Sequence, residues 1–71
     1  MTTRPTFASR LRAARARKLY TQAALEAHAG LSVSLVSQFE SGRRVPNMKN
    51  LVALADALGC STDYLCGRAA K

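Results

Sequence analysis

The sequence predicts an all-α fold of five short helices, on three observations. Apolar residues recur at spacings of three and four. Gly30, Gly42, Pro46, Gly59 and Gly67 cut the chain into pieces of helix length. No piece alternates polar and apolar residues for long enough to make a strand. From Phe7 the inward positions run Phe7, Leu11, Ala14, one helical face, while Arg10, Arg12 and Arg17 fall on others. Thr2 to Thr6, with Pro5 among them, read as a polar arm. The chain thus divides into an arm over 1–6, a domain over 7–67 and a tail over 68–71. Thr21 offers a side-chain oxygen as N-cap to a second helix, Gln22 to Ala29, which Gly30 ends. Ser32 caps a third, Val33 to Ser41, with Val36 and Phe39 inward and Gly42 closing it. Asn47 caps a fourth, in which Met48, Leu51, Leu54, Ala55 and Leu58 keep helical spacing up to Gly59. Ser61 caps a fifth through Cys66, stopped by Gly67.

Size and composition exclude most function classes. A chain of 71 residues supports one core, because so short a chain buries only about 60% of the surface its unfolded form exposes. With 48% hydrophobic and 21% charged residues it has the balance of a globular domain. The longest apolar run, Leu51 to Ala55, is far too short to span a membrane, and no apolar stretch follows the basic N-terminus as in a secretory signal. A cytoplasmic protein is expected. Cys60, Cys66 and His28 are too few and too scattered for a zinc site, and both thiols fall at apolar positions, so they are expected reduced and buried. One His and four acids assemble no catalytic pair, and there is no glycine-rich phosphate loop. Neither an enzyme nor a cofactor is expected.

Charge points to a partner. The net charge is +7, and Arg4, Arg10, Arg12, Arg15, Arg17 and Lys18 crowd the first 20 residues without one acid. Such a body attracts polyanions, because Lys and Arg release the counterions condensed on a phosphate backbone. The second and third helices refine this. Their connection, Ala29-Gly30-Leu31-Ser32, is short with Gly inside it, which sets two helices at a steep angle as in helix-turn-helix units. Leu25, Ala29, Leu31, Val36 and Phe39 are placed to hold the pair together. Val33, Ser34, Ser37 and Gln38 lie outward on the third helix, short or uncharged groups of the kind that reach base edges in a major groove.

Thr21-Gln22, Leu25, Ala29-Gly30-Leu31-Ser32, the run Val36 to Pro46, Leu51, Leu54-Ala55, Ala57-Leu58-Gly59 and Ser61 to Leu65 together resemble the phage-repressor/Cro type helix-turn-helix, or XRE, family. The resemblance covers residues 7–67. It implies a five-helix, lambda-repressor-like domain whose third helix enters the major groove of double-stranded DNA. One position departs from the family pattern. Four residues before the turn glycine a small residue is usual, and here it is Glu26. Its carboxylate must bend outward or find a basic partner.

The resemblance implies a phosphate contact from Gln22, which also opens a helix whose N–H groups favour an anion. Ser32, Arg43, Arg44, Asn47 and Lys49 suit backbone phosphates as well. Gln38 can bond adenine through its amide, and Val33 favours a thymine methyl. Ser34 and Ser37 are small enough to be readers or spacers. Phage repressors that resemble this chain pair an Arg and a Glu at the positions of Arg15 and Glu40, which implies a partly buried structural ion pair.

These readings converge on a sequence-specific transcriptional regulator, a repressor that occupies a palindromic operator. No small-molecule ligand is expected, since the chain has no room for a sensing domain. The rival is an antitoxin that binds both a protein partner and its own promoter; a further rival is a basic scaffold binding nucleic acid without sequence choice. One domain contacts few base pairs, so a homodimer is expected, with Leu65 turned to the core and Tyr64 and Cys66 left to meet a second chain.

Overall fold

The computed structural model describes residues 6–67, and the remainder of the arm and the tail lie outside the described residues. Five helices follow in order: α1 (Phe7–Arg17), α2 (Gln22–Ala29), α3 (Leu35–Glu40), α4 (Met48–Leu58) and α5 (Thr62–Cys66), with no strand among the described residues. α3 packs on α1 and α2, α4 packs on α2, and α5 closes against α1 and α4. Every helix gives to one core: Leu11 and Ala14 from α1, Leu25 from α2, Val36 and Phe39 from α3. Leu51, Leu54, Ala55 and Leu58 come from α4, and Leu65 from α5. Phe7 seals one edge by meeting Phe39 edge-to-face at 6.2 Å.

Local chemistry sets the helix ends. Thr21, Asn47 and Ser61 each accept the backbone N–H three residues on, at 3.0, 2.8 and 2.9 Å. Thr6 belongs to the fold rather than the arm. It caps α1, its hydroxyl accepting from the Ser9 N–H while the Ser9 hydroxyl accepts from the Thr6 N–H, a reciprocal capping box. The end of α1 has no glycine. Leu19 takes the left-handed conformation there (φ 60°), with Leu19 N–H bonding the Ala16 carbonyl and Tyr20 N–H the Arg15 carbonyl. This is a Schellman motif with a leucine where glycine is favoured, and the Leu19 side chain stands 90% exposed.

The structure corrects the start of α3. Ser32 is no N-cap, and Val33 and Ser34 form a turn before a helix that begins at Leu35 and ends at Glu40. The Ser32 carbonyl accepts the Leu35 N–H at 3.2 Å. Ser34 holds φ +73°, so it too makes no side-chain cap. Two inward expectations also fail. Met48, in the first turn of α4 beside an exposed loop, is 70% exposed. Cys66 is exposed, because α5 turns Leu65 inward instead; Cys60 is half-buried, and both thiols are free. Burial pushes the Cys60 thiol up, and Arg17 nearby offsets part of that.

Candidate nucleic-acid interface

α2 and α3 cross through Gly30, whose φ of +69° ends α2 and reverses the chain. The turn before α3 and the outer side of α3 at Ser37 stand at the surface. Val33 is 87% exposed, Ser32, Ser34 and Ser37 are exposed, and Gln38 is half-buried. Beyond α3 the chain turns back on the Gln38 carbonyl, which accepts the Arg43 and Arg44 N–H groups at 3.0 and 3.3 Å. Arg43, Arg44, Asn47 and Lys49 are exposed along that loop and the start of α4. The Asn47 carbonyl oxygen is used in capping, which leaves its amide NH₂ as the outward donor.

Behind this surface lies a polar network centred on Glu40, which is only 5% exposed. Arg15 Nε meets Glu40 Oε2 at 2.6 Å and Arg15 Nη2 meets Oε1 at 3.2 Å, a two-pronged pair between α1 and α3. Gln22 Nε2 donates to the same Oε1 at 3.1 Å, and Arg15 Nη1 donates to the Tyr20 carbonyl at 2.9 Å. The bond to Glu40 holds the Arg15 guanidinium above arginine's ordinary pKa, outweighing the partial burial that works against it. On the arginine side, what this adds to stability is in place at neutral pH and is lost as pH rises through the folded value. Over neutral pH the pair therefore keeps its charge on the arginine side.

Sequence reasoning missed three features. Arg12, one turn before Arg15, donates through Nη1 to the Glu40 carbonyl at 2.7 Å and so ties down the end of α3; its i, i+3 spacing from Arg15 was the available signal. Arg10 and Arg17 turn the other way, with their guanidinium carbons 5.0 and 5.3 Å from the Tyr64 ring centre, and Arg17 donates to the Tyr64 hydroxyl at 2.8 Å. Much of the basic charge of α1 thus fastens α3 and α5 in place. Glu26 is the third. It neither bends outward nor meets a cation: it is 6% exposed, and its Oε2 accepts the Val36 N–H at 3.1 Å. Elsewhere, His28 is exposed and stacks on Tyr20 at 4.7 Å. Among the described residues no three His, Cys, Asp or Glu could hold a metal ion, and no helix is long and apolar enough to cross a membrane.

Comparison with known proteins agrees with the fold. A family profile described as helix-turn-helix matches residues 11–65. The transcriptional repressor RstR of a cryptic CTXphi phage in Vibrio cholerae is 48% identical over 48 residues, covering 68% of this chain and 43% of RstR. Repressor protein C2 of Salmonella phage P22 is 46% identical over 56 residues, 79% of this chain and 26% of C2. The chain therefore spans less than half the length of either repressor. A crystal structure of the P22 c2 repressor in complex with a synthetic operator superposes with a TM-score of 0.84 at 41% identity, over 90% of this chain and 97% of that one.

Proposed function

The chain belongs to the helix-turn-helix family, and from that premise we propose that it is a transcriptional repressor that occupies operator DNA through α3. The observation that carries this reading is the exposed, uncharged surface of Val33 and Ser34 in the turn before α3 and Ser37 on α3, with Arg43, Arg44 and Lys49 exposed on the segment that follows. Val33, Ser34, Ser37 and Gln38 read base edges; Gln22, Ser32, Arg43, Arg44, Asn47 and Lys49 hold phosphates. Gln22 spends one amide hydrogen on Glu40 and keeps a second for a phosphate oxygen. The synthetic operator bound by the matching P22 c2 repressor supports DNA as the partner. Two copies bind about a two-fold axis, meeting through the exposed Cys66 and the half-buried Tyr64, which sets recognition helices about 34 Å apart.

Two substitutions separate reading from holding. Gln38→Ala costs about 1–3 kcal/mol and relaxes preference at one base pair, because a base-edge contact is lost. Arg43→Ala weakens binding to all sequences alike and lowers the salt slope by about one. Competition binding across a salt series measures both. A Gln38→Ala protein that selects the unchanged motif removes Gln38 from the readers.

A further inference from the structure

The start of α3 is held by a residue of another helix. A helix needs acceptors for its first N–H groups, and the N–H of its second residue is one that a capping side chain ordinarily takes. In α3 the second residue is Val36, and its N–H goes to Glu26 Oε2, from ten residues earlier. Ser34, in the capping position, is in the left-handed region and gives no side-chain bond. A carboxylate suits the role, since its bond to an N–H is charge-assisted and the helix dipole favours negative charge there. Glu26 also anchors the turn through its backbone, its carbonyl accepting from Leu31 N–H at 2.9 Å.

We propose that Glu26 is a positioning residue for base readout, its carboxylate fixing the Val33–Ser34 turn on α2 and thereby setting the preference at the base pairs those two residues face. The inference rests on the reading of α3 as the recognition helix. The far end of α3 has its own fastening, through Arg12 and Arg15 on Glu40 and through the bonds on the Gln38 carbonyl. Loss of Glu26 therefore loosens one end of the reading surface and spares the other. A residue that merely stabilised the fold would affect every position equally in the folded fraction.

The test compares fragment selection and competition binding by the wild type, Glu26→Ala and Glu26→Gln. Val33→Ala identifies the base pairs concerned, and circular dichroism fixes a temperature at which each protein is folded. Glu26→Ala is expected to lose about tenfold in preference at the Val33 base pairs. Its preference at the Gln38 base pair and its salt slope stay at wild-type values. Glu26→Gln keeps an acceptor without the charge, folds even where the alanine variant does not, and loses about threefold at the same base pairs, as for a bond of roughly half the strength. In the free protein, the Val36 amide loses exchange protection in Glu26→Ala and keeps most of it in Glu26→Gln. A wild-type selection that returns no motif counts against the proposed function, and the inference falls with it. A clear wild-type motif that both variants reproduce, or weaken evenly at every position, overturns the inference alone.

Discussion

Glu40→Ala lowers stability by about 3 kcal/mol and the thermal midpoint by roughly 12–24 °C. The substitution removes a carboxylate that accepts three side-chain hydrogen bonds, two from Arg15 and one from Gln22. What remains is a guanidinium drawn into the protein with its partner gone. The Arg15 side chain is 21% exposed, so water reaches it and the loss falls at the lower end of the roughly 3–5 kcal/mol range for stranded buried charges. Glu26→Ala costs less, about 0.5–2 kcal/mol, since it removes one capping bond and strands no charge. Thermal melts of both variants check the order. Equal, small losses would take the structural role away from Glu40.

Phe39→Ala has an effect at least as large. Phe39 is 1% exposed and lies where α3 meets the core, against the ring of Phe7. Truncating a buried phenylalanine costs about 3–5 kcal/mol, from lost transfer energy and the cavity left behind. A domain of this size has only about 4–10 kcal/mol to lose. The denaturation midpoint in urea should fall by a third or more, whereas Phe7→Ala, at a half-buried ring, shifts it less. Similar shifts for the two would mean that α3 is not seated through Phe39.

The elements that could be read from sequence are those whose signals are local. Thr21, Asn47 and Ser61 lie next to the helices they cap, and Gly30, Gly59 and Gly67 close those same helices in the left-handed conformation. The end of α1 had no such mark, because Leu19 occupies the position where glycine is the usual sign. The start of α3 was misread for a different reason. Its cap comes from Glu26 on the preceding helix, and a serine at the right offset imitated the local pattern. The charge of α1 was legible as a quantity but not as a destination. Nothing in the spacing said that Arg10 and Arg17 would face Tyr64 while Arg12 and Arg15 faced Glu40.

In the proposed reading, docking depends on the two fastenings of α3 and on a second copy that doubles the contact set. Both are expressed in the bound sequence, so the most direct measurement is selection of bound fragments from a pool of random duplexes, with the number of chains per duplex counted. The account predicts an inverted repeat, its half-site centres about one helical turn apart, bound by two chains. Enrichment no better than the starting pool at matched salt, or a site without dyad symmetry bound by a single chain, would contradict it.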